Sequence, residues 1–435
     1  MQNFEKIIYW DELNCQEKKD ILLRPIFKKN FSIKKKVMEI IDNVKNYGDS
    51  ALKKYSILFE KNNIEEFEIC KKDILLSSSY VSNDLKSAIE TAKKNITIFH
   101  KAQNIPDVDI ETQHGVRCQA IYCPLDSIGI YIPSGIAPLL STVLMLSIPA
   151  KIAGCKNIIL CSPPPICSEI LYAANICGVD RIFQIGGAQS IAALAFGTKS
   201  VPKVNKIFGP GNAYVTEAKL QVSSYLNGPS IDMLAGPSEL LIISDETADP
   251  DFIAADLLSQ AEHGISSQVI LVTTCIKVAK KVIFYLKKQL KNLSKSFEIP
   301  HVLKNCIIIL TTNLSECTEI SNMYAPEHLI INTQNPRLIL NNVLNASSIF
   351  LGSWSPESAG DYASGTNHVL PTYGKSISTS ALGLYDFKKR VLVQELTSKG
   401  FMNLSKTLEV LSEFENLEAH KYAVKIRVNR LKEKK

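Results

Sequence analysis

Histidine is scarce in this 435-residue chain, with seven copies: His100, His114, His263, His301, His328, His368 and His420. The helical HExxH pair is absent, which removes the usual zincin signature. No two of the eleven cysteines stand as C-x-x-C, and their number is odd. A disulfide framework and a zinc ribbon are both excluded on that count. The first twenty residues, MQNFEKIIYWDELNCQEKKD, lack an apolar signal core. With the cysteine usage, that leads to the expectation of a cytoplasmic protein. A strong charge of one sign is missing too: 49 basic against 43 acidic residues give +6. The excess gathers at Lys34–Lys36 and from Lys421 to Lys435, without the interleaved aromatics that stack on single strands. Both runs read as solvated helix faces, so no nucleic-acid partner is expected.

Hydrophobic residues reach 46% and charged residues 21%, as in ordinary globular chains. At about 150 residues per domain the length suggests roughly three domains. Ser127–Ala150 carries no charge and has the length of a membrane span. Pro133, Gly135, Pro138 and Pro149 interrupt it, so it reads as a strand, a turn and a buried helix, with no membrane partner.

The apolar spacing divides the chain into four segments. Residues 1–110 form a helical N-terminal region: Val37, Ile40, Ile41 and Val44 share one helical face, as do Leu85, Ala88, Ile89, Ala92 and Ile96. Residues 111–238 alternate short strands (127–132, 158–161, 181–185, 206–208) with helices (168–177, 188–196, 213–226). Residues 239–384 repeat the alternation, with strands at 240–243, 269–272, 307–310, 329–331 and 349–351. Asp249-Pro250 supplies a helix start there, and Gly264 a stop. Residues 385–435 read as a polar helical tail. Short apolar strands alternating with helices give an α/β fold of two successive, incomplete Rossmann-like parallel-sheet halves.

Four histidines sit in distinctive settings. His263 follows Gln260 by three residues near a helix end, so the two share a face. His368 lies seven residues after Asp361 in SAGDYASGTNHVLP; His420 closes ENLEAH. Imidazole, carboxylate and amide oxygen suit zinc or a similar divalent ion, although spacing does not say which groups meet. Glu327-His328, in APEHL, can form a proton-transfer pair. Neighbours in a strand point to opposite faces, so both reach one ligand only if the backbone near Pro326 is irregular. Gly209-Pro210-Gly211-Asn212 and Gly186-Gly187-Ala188-Gln189 lie between strand and helix, where a helix N-terminus favours phosphate. Neither completes G-x-G-x-x-G, and close βα packing accounts equally well for both. No cysteine stands where a nucleophile is marked.

Together these segments resemble the histidinol dehydrogenases. The resemblance runs from about residue 115 to 425, through IGIYIPSGIAPLLSTVLM, QIGGAQSIAALAFGT, KIFGPGNAYVTEAK, DMLAGPSELLI, ADLLSQAEHG, YAPEHLII, FLGSWSPESAGDYASGTNHVLPT and LEAHKYAVKIR. It implies oxidation of L-histidinol through the aldehyde to L-histidine with two NAD, the last two steps of histidine biosynthesis. It implies zinc held by Gln260, His263, Asp361 and His420, and acid–base work by Glu327 and His328. Ser238, His328, His368 and Glu415, with the four ligand residues, match substrate-contacting positions; Tyr131, Gln189 and Asn212 match NAD contacts. The family is a homodimer in which one subunit's tail completes its partner's site, so His420 and Glu415 are expected in trans. Ser134 stands where the family usually shows glycine. Two other readings remain: a zinc-dependent amide or ester hydrolase on the same residues, and a non-catalytic nucleotide-binding or scaffold protein. The glycine turns count against a hydrolase, which needs no dinucleotide.

Overall fold

The computed structural model describes residues 5–24, 31–133, 138–233, 236–293 and 299–433. Ser134 and its substitution for glycine lie outside them. The chain divides into two compact units that cut across the four sequence segments: Met1–Gln103 with Asp126–Asp386, and Asn104–Leu125 with Phe387–Lys435.

Strand β1 (Ile7–Tyr9) comes first, and β2 (Val108–Gln113) and β3 (Val116–Pro124) follow a series of helices. An alternating run then carries β4 (Ser127–Tyr131), β5 (Asn157–Ser162), β6 (Arg181–Gln184), β7 (Lys206–Phe208) and β8 (Ser230–Ile231). A second run carries β9 (Glu239–Ser244), β10 (Gln268–Thr273), β11 (Ile307–Leu310), β12 (His328–Asn332) and β13 (Ser348–Leu351). The last strand is β14 (Lys388–Leu396).

In the first unit β4–β8 form one parallel sheet in the order β6-β5-β4-β7-β8, and β9–β13 form another in the order β11-β10-β9-β12-β13. Each run follows the Rossmann order 3-2-1-4-5, and the second sheet adds β1 outside β11 as its sixth strand. The duplication expected from the alternation is thus present in topology.

The central strands are buried on both faces, as parallel sheets require, and read as unbroken apolar runs such as Leu240–Ile243. Helix Phe31–Tyr47 covers the first sheet by packing on helices Gly187–Phe196 and Ala213–Ser223. Its Val37, Ile41 and Val44 are fully buried among Ile191, Val215 and Val222. Trimming one such side chain to Ala costs about 2–5 kcal/mol. The uncharged stretch resolves into β4 and helix Leu140–Ala153, which is buried nearly all round. Among the described residues no helix is long and apolar enough to cross a membrane.

Two expectations are corrected. Ile7–Tyr9 is strand within the region read as helical, because it pairs with β11 at the edge of the second sheet. Three residues are too few to show a period. In the second unit the tail opens with strand, not helix: all nine residues of β14 pair antiparallel with β3, which also pairs with β2. A partner strand distant in sequence satisfies this polar segment's backbone, and local patterning does not report that. Helices Ser398–Phe414 and Glu418–Glu433 complete the unit.

Candidate active site

Among the described residues of the first unit, two cavities gather the candidate site residues. The first, of about 740 Å³, opens where the first sheet's strands end. Tyr131 is the last residue of β4, Pro163 follows β5, Gly186–Gln189 follow β6, and Asn212 follows β7. The Tyr131 hydroxyl accepts the Gly187 N–H at 3.2 Å. Asn212 caps helix Ala213–Ser223, its Oδ1 accepting from Tyr214 N at 3.0 Å and Val215 N at 3.1 Å. That leaves its amide nitrogen as the donor for a ligand. At Gly186 a Cβ would stand 2.5 Å from Pro163 Cγ; at Gly209, φ +115°, on the side of the second cavity, it would collide with the Tyr131 carbonyl. These glycines therefore serve close backbone approach.

The second cavity, of about 660 Å³, gathers Ser238, His263, Glu327, His328, Asp361 and His368. Glu327 and His328 stand where β12 begins, beside the first residue of β9. Ala325 adopts φ +53°, a left-handed conformation rare outside glycine, and so supplies the irregularity that lets both side chains reach one place. The Glu327 Oε2 accepts the Glu239 N–H at 2.8 Å. His328 Nδ1 lies 3.1 Å from the Glu239 carbonyl, which fixes Nδ1 as donor and leaves Nε2 with its lone pair. Nε2 is buried, lacks a hydrogen-bond partner and lies 3.8 Å from Asp361 Oδ1. His368 Nδ1 donates to the Asp361 carbonyl at 2.8 Å, and its Nε2 is 3.3 Å from Thr142 Oγ1.

Gln260, fully buried near the end of helix Pro250–Ala261, sets its Nε2 3.5 Å from His328 Nδ1; its Oε1 is buried without a partner. His263, Glu357 and Asp361 each present a ligand atom within 4.8 Å of the others. An orphaned amide oxygen beside imidazole and carboxylates is a donor set that fits zinc.

The electrostatics follow from burial. Desolvation pushes His328 down to about 3 and His368 down to about 4, and it lowers His263. It raises Asp361 to about 6 and Asp256 to about 7. Glu327 and Glu357 are held well above the usual carboxylate range by burial first, then by neighbouring carboxylates. Neutral imidazoles therefore face carboxyls that share protons as a coupled group. Such clustered shifts mark a centre for proton transfer.

Of the residues singled out by the motifs and by the family resemblance, Tyr131, Gln189 and Asn212 line the first cavity. Ser238, His263, Glu327, His328, Asp361 and His368 line the second, and Gln260 reaches it through His328. Glu415 and His420 belong to the second unit. There Glu415 ends helix Ser398–Phe414 and His420 sits in helix Glu418–Glu433, both exposed. His114 and His301 are exposed, and His100 is a buried structural histidine bonded to Ile96 and Asn367. Sequence reasoning missed Glu357, whose Oε1 lies 3.6 Å from His328 Nδ1. Its spacing of four from Asp361 on helix Glu357–Tyr362 was the available signal. It also missed Arg24, which binds Glu239 at 2.6 and 2.8 Å and the Tyr324 carbonyl at 2.7 Å, from 215 positions away in sequence.

A duplicated Rossmann-type architecture, with glycine turns at one cavity and a histidine–carboxylate cluster at the other, defines an α/β enzyme built for acid–base chemistry. The model of the histidinol dehydrogenase family matches residues 24–428, and the chain belongs to that family. It is 72% identical to the histidinol dehydrogenase of Buchnera aphidicola subsp. Schizaphis graminum over 100% of both chains. It is 54% identical to that of Escherichia coli K12 over 99% of both. The crystal structure of histidinol dehydrogenase from Elizabethkingia anophelis is similar with a TM-score of 0.95 at 42% identity, covering 98% of this chain and 99% of that one. The chain is an oxidoreductase that oxidises histidinol in histidine biosynthesis. The hydrolase and scaffold readings give way to that membership.

Proposed function

We propose that the chain carries out the four-electron oxidation of L-histidinol to L-histidine through L-histidinal, with one zinc ion per subunit and NAD as oxidant, in the cytoplasm. The observation that carries this is the cluster of His263, Glu357 and Asp361 ligand atoms next to the unpartnered Nε2 of His328, with the orphaned amide oxygen of Gln260 on the far side of the His328 ring. Gln260, His263 and Asp361 would hold the zinc, with His420 supplied by the tail of a second copy in a homodimer; Glu415 would come with it to the substrate. Tyr131, Gln189 and Asn212 would contact NAD. When bound, zinc supplies a Lewis-acid anchor for the substrate's imidazole and amino nitrogens, and NAD supplies the hydride acceptor of each oxidation.

The residues do the rest. His328 Nε2 takes the hydroxyl proton as the alcohol becomes the aldehyde. The imidazolium so formed is flanked by Glu357 at 3.6 Å, Glu327 at 3.7 Å and Asp361 at 3.8 Å, and its charge favours ionisation of these buried carboxyls, which then offset it. Glu327, fixed through Oε2 to the Glu239 N–H and ionised beside that imidazolium, takes a proton from the water that adds to the aldehyde. Ser238 and His368 line the same cavity and orient the substrate. Holding the aldehyde between the two oxidations protects it from side reactions.

The test is NADH formation on adding L-histidinol, followed by absorbance with and without a chelator. Two NADH per histidinol, abolished by the chelator and restored by zinc, is the expected result. No NADH from folded, zinc-loaded protein overturns the reading.

A further inference from the structure

We propose that Glu60 reads the adenosine ribose of the dinucleotide and selects NAD over NADP. This rests on the reading of the first cavity as the NAD site. In a Rossmann half the acid that bonds the ribose diol stands at the end of the second strand. Here that strand is β5, which ends at Ser162 and runs into Pro163-Pro164-Pro165, without a carboxylate. The missing charge arrives from another element. Glu60 closes the helical turn Ser56–Glu60 in the N-terminal region and lines the cavity beside Pro163.

Its two oxygens have different employment. Oε1 accepts the Gly186 N–H at 2.7 Å and approaches Gln189 Nε2 at 3.4 Å, so the carboxylate is fixed to the βα turn. Oε2 is buried and makes no hydrogen bond; the nearby Ser56 hydroxyl donates instead to the Asn62 carbonyl. A buried acceptor left unmade is costly, and a ribose diol supplies the O–H donors that would satisfy it. The neighbouring wall suits the base. Phe59 stacks on Tyr55 with ring centroids 5.4 Å apart and planes 3° apart, and it stays 53% exposed along the cavity. Among the described residues, the charged ones lining the cavity are Lys36, Glu39 and Glu60. One cation against two carboxylates makes a poor seat for the extra phosphate of NADP, which would meet Glu60 directly.

The experiment is calorimetric titration of NAD and NADP into the full-length, zinc-loaded protein and its Glu60 variants. E60Q keeps an oxygen for the Gly186 N–H and removes the charge. Wild type should bind NADP at least about thirtyfold more weakly than NAD, and E60Q should weaken NAD about tenfold and bring the two within about threefold. E60D keeps the charge with shorter reach; it should lose NAD affinity yet still reject NADP, and it decides the matter if E60Q fails to fold. E60Q with wild-type NAD affinity and undiminished rejection of NADP overturns the role of Glu60 and leaves the NAD reading standing. Wild type that binds no NAD overturns that reading, and this proposal with it.

Discussion

The two α/β halves share a strand order and use opposite edges of it. The first half presents its cavity at the carboxyl ends of β4–β7, where Rossmann-type sheets conventionally bind ligands. The second half presents its reactive pair at the amino ends of β9 and β12, where Glu239 and His328 are the first strand residues. A parallel αβ unit explains the second choice. Helices run back across the sheet, so their C-termini arrive at the strands' amino edge. Gln260 and Tyr324, each at or near a helix end, are delivered there for that reason. Topology therefore chooses the edges on offer, and the residues at each edge choose the chemistry: glycine turns in the first half, imidazoles with several carboxyls in the second.

If the division holds, the largest effect belongs to the second half's amino edge. His328→Asn should lower turnover about a thousandfold, with zinc content and NAD binding unchanged. Metal analysis and calorimetry beside steady-state rates decide this, and wild-type turnover would sink the assignment of the base. A sharper comparison uses the buried ion pair of each half, the first behind the turn that carries Asn212 into the first cavity, the second behind the reactive pair. In the first half Lys219 binds Asp232 and the Gly209 carbonyl, while Asp232 accepts the Gly209 N–H at 2.7 Å, so the turn after β7 is clamped on both sides. In the second, Arg24 and Glu239 clamp the turn before β12. Lys219→Met and Arg24→Met should each cost about 3 kcal/mol of stability by leaving a carboxylate buried alone. Their kinetics should part: Lys219→Met raises the KM for NAD, and Arg24→Met lowers kcat. The same signature from both variants would dissolve the distinction. Asp361→Asn should cut zinc affinity by about a hundredfold or more, and zinc retained through exhaustive dialysis would remove Asp361 from the ligands.

The legible parts of the sequence were those whose signal is local. Apolar runs such as Leu240–Ile243 and caps such as Asp249-Pro250 mark the strands and helices of both halves. The duplication was legible as rhythm although no residue repeats. What stayed hidden depends on distant pairing. Lys388–Leu396 reads as polar tail until β3 lies beside it. Ile7–Tyr9 is a strand only because β11 offers an edge. The site divides the same way. Glu327-His328 and Gln260/His263 announce themselves by type and spacing. Arg24, Glu60 and Glu357 are ordinary charged residues until the fold buries them against Glu239, Gly186 and His328.

The smallest effect concerns pH, and it again separates the cavity from its surroundings. His100 is fully buried, with Nδ1 bonded to the Ile96 carbonyl at 2.9 Å and Nε2 facing Asn367 Nδ2 at 3.3 Å. Burial lowers its pKa from 6.5, so the fold keeps it neutral while the unfolded chain takes up a proton. Its contribution to stability is full above the unfolded value and is lost as pH falls toward the depressed folded one. Inside the catalytic cavity two signs compete. His328 at about 3 and His368 at about 4 act as His100 does. Asp361, raised to about 6, binds its proton more readily folded than unfolded, so its contribution grows as pH falls through that value; Glu327 and Glu357 act in the same direction. The cavity groups offset one another in part, whereas His100 has no such counterpart in its own contacts. In metal-free protein, His100→Gln should therefore flatten the fall in melting temperature between about pH 7 and pH 5. Scanning calorimetry across that range reads the slope, and a slope equal to wild type would mean that the cavity, not His100, sets the acid sensitivity of the fold.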